Sequence, residues 1–269
     1  MKKFKKLIPA LCMLLVSAVM LGSTTFAWFS MNRTVTAGNM QINATTNEPY
    51  LLVSNASNGT FGTNATMTLD PTTEGGTPKL KLVTPLNVAS NVDYYKDATD
   101  ANDSKTTTPT KFGNAASVLW GTASSTNPGE VQKDKVPNRV GGDGFDNGQL
   151  KDYVQKSELF FKVAATDQKG ANLKCSKVTF GTTTNTIAGS LRVLLVTEDG
   201  KYQLFKYGAG GVITTAETGS DAALIATVDT TALKVTAYFY FDGTDDAAYT
   251  NNATTLADVT VSFEFTIDA

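Results

Sequence analysis

Histidine is absent from the 269 residues of this chain. That removes the commonest general base and the commonest zinc ligand, and no H-E-x-x-H can exist. Cysteine occurs twice, as Cys12 and Cys175. Cys175 lies in the alternating run Leu173-Lys174-Cys175-Ser176-Lys177-Val178 and reads as a small apolar residue on a strand. A thiol nucleophile would need a histidine partner. Cys12 follows Pro9-Ala10-Leu11 and lacks the small residue that a lipid-attachment site needs just before it. The run Asp143-Gly144-Phe145-Asp146-Asn147-Gly148 has only part of a calcium loop, without alternating acids and a closing Glu, and reads as a polar turn. Asp97, Asp100 and Asp103 recur every third residue in a polar stretch and read as solvated loop acids. The glycines from Gly208 to Gly211 follow a strand, but no Lys-Ser/Thr and no helix pattern follow them, so no phosphate loop is expected. Among 25 acidic residues nothing singles out a pair for glycoside hydrolysis. The expectation is a protein that is not an enzyme, with no catalytic residue, no cofactor and no metal.

The elements that hold such a chain begin with its N-terminus. Lys2, Lys3, Lys5 and Lys6 precede an apolar run from Leu7 to Gly22, which leads into Ser23-Thr24-Thr25-Phe26-Ala27-Trp28-Phe29. A basic head, an apolar stretch and a small residue form the layout of a secretory signal. Cleavage between Ala27 and Trp28 is expected, making residues 1–27 a signal peptide. The competing reading is an uncleaved anchor, since Leu7 to Phe29 approaches the ~20 residues that span a bilayer. Pro9, Ser17, Ser23, Thr24 and Thr25 weigh against it.

Loss of the signal removes four lysines and leaves 19 basic against 25 acidic residues, a net charge of −6. With no basic cluster, neither nucleic acid nor, after cleavage, a membrane is an expected partner. One remaining cysteine allows no disulfide within the chain. That fits an exported protein of a surface where thiols are avoided, as in many Gram-positive bacteria, and not a disulfide-rich secreted domain.

Apolar residues alternate with polar ones over short runs, with turn residues between them, which is the pattern of antiparallel strands. Trp28 to Thr36 puts Phe29, Met31 and Val35 on one face and Ser30, Asn32 and Thr34 on the other, with Arg33 breaking the apolar side. Met40 to Ala44, Tyr50 to Val53 and Leu80 to Val83 are further candidates. The region from about 55 to 150 is loop-rich, and Val118-Leu119-Trp120 is an apolar island expected to pin it to the core. Ser157 to Ala165 and Leu173 to Phe180 are strong strands. Ile187 to Val196 is nearly continuous apolar and is expected to be central, covered on both faces. Glu198-Asp199-Gly200-Lys201 is expected to close a hairpin through a type I′ turn. Leu233 to Phe241 and Val259 to Ile267 complete the set, the last alternating without a fault. The expected fold is all-β: a two-sheet antiparallel sandwich of jelly-roll type, one domain over 38–269, with long loop-rich insertions. Strand order is not read from sequence.

Thr25-Phe26-Ala27-Trp28-Phe29, a short strand and then Met40-Gln41-Ile42 resemble the exported proteins cut by the SipW type of signal peptidase, the group of TasA and camelysin in Gram-positive biofilms. The ending Val235-Thr236-Ala237-Tyr238-Phe239-Tyr240-Phe241-Asp242-Gly243-Thr244-Asp245, a polar gap and an alternating last strand is similar to clostridial relatives of that group. The likeness covers roughly residues 15 to 45 and 185 to 269. It implies a jelly-roll subunit of an extracellular matrix fibre, secreted through a SipW-type peptidase and polymerised head to tail with itself. The freed N-terminal segment would insert into the next subunit's sheet. Here that donor would be Trp28 to Thr36, with Phe29, Met31 and Val35 as interface residues and Arg33 as a departure. Burial of those three side chains would contribute about 1.5–3 kcal/mol each. An unfilled sandwich edge accepts a strand through main-chain hydrogen bonds and side-chain pockets, and a head-to-tail contact of this kind need not close. Without the resemblance, residues 28–37 are equally the first strand of their own domain. The alternative function is a monomeric or membrane-tethered cell-surface binding or adhesion module, using the loops between about 55 and 150.

Overall fold

The computed structural model describes residues 34–37, 41–46, 50–68, 73–74, 77–85, 88, 118, 120–122, 138–140, 153–166, 170–181, 186–208, 210–245, 248, 255–256 and 259–268. In chain order the first nine strands are β1 (Thr34–Ala37), β2 (Gln41–Thr46), β3 (Leu51–Ser54), β4 (Asn64–Thr68), β5 (Thr73–Glu74), β6 (Thr77–Lys81), β7 (Thr84–Pro85), β8 (Trp120–Thr122) and β9 (Asn138–Val140). The rest are β10 (Val154–Val163), β11 (Gly170–Gly181), β12 (Leu191–Thr197), β13 (Tyr202–Lys206), β14 (Val212–Ile213), β15 (Ile225–Val228), β16 (Leu233–Phe241), β17 (Thr255–Leu256) and β18 (Thr260–Asp268). No α-helix occurs among the described residues. The chain is all-β.

Two sheets face each other as a sandwich. One has the order β13-β12-β16-β10-β3, the other β14-β11-β18-β2-β4, with β15 also paired to β11. β18 shows the cause at the level of single residues. Val261, Phe263, Phe265 and Ile267 are buried, while Thr260, Ser262, Glu264 and Thr266 between them are not. A strand of period two turns one row inward and the other to solvent. The inward row meets β10 and β16 of the opposite sheet. Phe161 and Phe265 touch across the gap with ring centroids 4.5 Å apart.

The sheet containing β12 is covered on its other face too. Leu194, Val196, Tyr202, Leu204, Tyr238 and Tyr240 form a second apolar layer under Val83, Val88, Val118 and Trp120. Trp120 stands edge-on to Tyr238 and Tyr240, with centroids 5.6 and 5.0 Å away. All seven residues of β12 are buried as a result. β12 lies inside its sheet and is covered on both faces, as expected, and Val118 and Trp120 of the apolar island pack onto that sheet.

Three details differ from the sequence reading. β2 runs parallel to β18 through all six of its residues, so the sandwich is not wholly antiparallel. Alternation specifies a face and not a direction, and a parallel neighbour needs only a long connection, which this first-to-last pairing supplies. The hairpin after β12 is not type I′: Gly200 has φ 82°, whereas Asp199 is not among the positive-φ residues. The Gly200 amide donates to the Thr197 carbonyl at 3.1 Å, and the Thr197 amide to the Lys201 carbonyl at 3.0 Å. That is a three-residue loop, a type I turn followed by a left-handed bulge. Finally, Thr186–Ser190 forms a 3-10 turn before β12 begins, in place of the longer strand expected from Ile187.

Candidate assembly interface

β1 is the described part of the segment expected to be donated. It belongs to neither main sheet. It sits in the middle of a small separate sheet, β17-β1-β6-β5. On one side Thr34, Val35 and Thr36 stand opposite Lys81, Leu80 and Lys79 in antiparallel register. On the other, Thr36 and Ala37 stand opposite Thr255 and Leu256 in parallel register. Gly38, Asn39 and Met40 then lead to β2, which is held between β18 and β4. A strand outside both main sheets therefore occupies a slot with a wall on each side, three residues before β2. In the single chain that slot is filled by the chain's own strand, which is the self-paired alternative.

The β6 wall is tied to the core. Leu80 and Leu82 are buried in the main cluster. Beyond them Val83 is clamped to the end of β16: its amide donates to the Phe241 carbonyl at 3.0 Å, and the Gly243 amide donates to the Val83 carbonyl at 3.1 Å. The turn that makes this clamp is Asp242-Gly243-Thr244-Asp245, held by Arg192 of β12. The Arg192 side chain is 6% exposed. It donates to the carbonyls of Gly189 at 2.7 Å and Leu191 at 2.8 Å. It also faces the carboxylates of Asp242 at 3.6 Å and Asp245, and Asp245 is further held by Lys206 at 2.8 Å. Asp242 accepts from the Thr244 amide and hydroxyl at 3.0 and 2.7 Å. A charge buried among four partners satisfies the rule that interior ions must be paired and hydrogen-bonded.

The lateral margins of the sandwich are treated differently from the slot. The outer margin of β13 is closed by the segment 217–221, through Glu217 N to Leu204 O at 2.7 Å and Asp221 N to Tyr202 O at 2.8 Å. The margin of β3 is bridged at Val53 by Gly62, with mutual bonds of 2.7 and 3.0 Å. On the opposite sheet, β11 carries β15 at Gly170–Leu173 and β14 at Val178–Thr179. Between these it bulges, and its register against β18 shifts at Cys175/Lys177. Gln203 reaches across from β13 and covers the gap: its Oε1 accepts from the Cys175 amide at 3.0 Å and its Nε2 donates to the Asp221 carbonyl at 3.1 Å. An open groove of about 520 Å³ lies over this place, lined by Lys174 to Ser176, Gln203 and residues 214–222. Gly211 closes in on β11 so tightly that its carbonyl meets the Phe180 amide at 2.6 Å, and a Cβ there would lie 2.6 Å from the Phe180 oxygen. The glycine run at 208–211 thus serves a close backbone approach.

Cys175 is buried in the core, as its alternating run predicts, and burial pushes its thiol up to about 12. Burial likewise raises the phenols of Tyr238 and Tyr240. The Tyr240 hydroxyl has no hydrogen-bond partner among the described residues. Among those residues no three His, Cys, Asp or Glu side chains gather to hold a metal, and no helix is long and apolar enough to cross a membrane. Of the residues expected to matter, Ala27, Trp28, Phe29 and Met31 lie outside the described residues, as do Asp97, Asp100, Asp103 and the Asp143–Gly148 run. Val35 lies in β1 opposite Leu80. Sequence reasoning missed both walls of the slot as such, and also Arg192 and Gln203. A lone charge within the apolar run Leu191–Val196 was the available signal for Arg192; nothing in Thr255-Leu256 marks a wall.

No family model and no curated protein matches this chain.

Proposed function

We propose that this chain is an exported structural protein, the subunit of an extracellular matrix fibre that joins copies head to tail by strand exchange. The observation that supports it most is the position of β1. A strand outside both main sheets, walled on both sides and three residues from β2, can leave its own slot for a sister's without breaking a ladder of either main sheet. Every main-chain contact it makes at home is available in an identical copy, which is the logic of domain swapping, and a head-to-tail exchange that does not close gives a filament. The margin of β13 is closed by 217–221, and that of β3 is bridged at Val53. The basic head, apolar run and Ala27-Trp28 junction support export and cleavage by a SipW-type peptidase, with the mature chain starting at the donor segment Trp28 to Thr36. The likeness to TasA and camelysin supports a jelly-roll winding and a place in the matrix or on the surface of a Gram-positive cell. No observation among the described residues favours the binding-module alternative.

The test compares chains that begin at Trp28 and at Gly38. The first is expected to form sedimentable filaments visible by negative-stain microscopy, and the second is not. If both stay monomeric at high concentration, the fibre reading fails.

A further inference from the structure

We propose that β1 is also the brake on assembly: the free subunit caps its own slot, and a fibre grows only as fast as β1 is released. This rests on the fibre reading and adds a gate to it.

The ladders carry the argument. β1 pairs on both sides at home, with Thr34, Val35 and Thr36 against β6 and with Thr36 and Ala37 against β17. A donor from another copy would make the same pairs along Thr34–Ala37, so on these ladders the incoming strand gains nothing over the resident one. The competition is therefore decided by effective concentration and by rate. A strand on a short linker acts at an effective concentration of about a millimolar. A separate subunit at micromolar concentration therefore does not displace the resident strand and enters only after β1 has left. The tether is too short to let β1 wander: three extended residues reach about 10 Å. It starts from β2, which cannot move, since all six of its residues are paired with β18. The far wall is equally fixed, because Leu80 is in the core and Val83 is bonded to Phe241 and Gly243. Release exposes two strand edges at once, the unpaired state that sheets avoid. Short hinges of this kind favour exchange once the strand is out.

The experiment pins β1 at home. In the chain from Trp28 onward, Thr34→Cys with Lys81→Cys places two thiols at paired positions, and Thr36→Cys with Thr255→Cys does the same on the other wall. Cys175 is buried and does not compete. Oxidised and reduced forms are mixed with fragments of wild-type fibre, and growth is followed by sedimentation. The oxidised forms are expected to remain monomeric with an intrachain crosslink, and reduction restores growth to the wild-type rate. Reduced protein that grows normally also shows that the variants fold. In a second arm, Thr34→Cys and Lys81→Cys single variants are co-assembled and then oxidised; crosslinked dimers are expected in the fibre and not in the monomer pool. Growth of the oxidised double variants at the reduced rate overturns the brake together with exchange of β1; a wild-type growth rate that rises in proportion to subunit concentration without levelling off overturns the brake alone and leaves exchange standing. Fibres co-assembled from the two single variants that give no crosslinked dimer on oxidation overturn the brake and the exchange together. Wild-type protein that never assembles removes the fibre reading, and the brake falls with it.

Discussion

Arg192→Met tests whether the buried ion cluster holds the slot's inner wall. Methionine keeps most of the stem and removes the guanidinium. Two carbonyls at 2.7 and 2.8 Å lose their donor, and the Asp242 and Asp245 carboxylates, 11% and 12% exposed, lose their central cation. Part of the loss is cushioned, because Asp245 keeps Lys206 and Asp242 keeps Thr244. Removing one partner of a buried pair costs about 3–5 kcal/mol, so the cushioned value belongs near 3 kcal/mol. For a chain of this size that lowers the melting temperature by about 6–12 °C. Arg192→Lys keeps the charge without the planar fork and should fall between. Urea unfolding and thermal melts followed by circular dichroism measure the loss. A double-mutant cycle with Asp245→Asn should return a coupling of about 1 kcal/mol or more, as expected for residues in contact. A loss of less than about 1 kcal/mol for Arg192→Met would refute the reasoning, because it would mean that the carboxylates reach water once the cation is gone.

Three further outcomes are expected. Gln203→Leu should destabilise by about 2–3 kcal/mol although it makes the strand more apolar, because the Cys175 amide and Asp221 carbonyl lose their partners; an unchanged urea midpoint would contradict this. Trp120→Ala should cost about 3–5 kcal/mol and abolish most near-ultraviolet dichroism from the Tyr238 and Tyr240 layer; a spectrum like that of the wild type would show that the cover does not depend on the indole. Stability should also fall in alkali. Cys175 is pushed up to about 12 from 9.0, and Tyr238 and Tyr240 are raised above 10.0, all chiefly by burial. The unfolded chain therefore loses these protons first, so stability is full below about pH 9 and declines above it, by about 1.4 kcal/mol per pH unit for each such group. Cys175→Ala should flatten the first part of that decline, and a urea midpoint that does not move between about pH 8 and pH 10.5 would overturn the assignment.

Much of the sandwich was legible because burial on one face leaves a period-two signature. Val261, Phe263, Phe265 and Ile267 show it directly, and they form the inner row of β18. The seven buried residues of β12 are the other legible case, since burial on both faces erases alternation. Cys175 was placed correctly by its neighbours. The hairpin was located but its loop was assigned to the wrong class, because Asp-Gly is compatible with both and only the backbone angle at Asp199 separates them. Strand direction was not legible: β2 carries the same alternation whether β18 runs with it or against it.

By itself the sequence determined that the chain is strand-built, because that follows from residue types and their period. Only the tertiary structure decided which strands are neighbours. Arg192 meets Asp245 from 53 positions away, and β1 lies between β6 and β17, which come from opposite halves of the chain. Pairings of that range depend on how two sheets close over a shared core, and no local pattern in Thr34–Ala37 or Thr255–Leu256 records it.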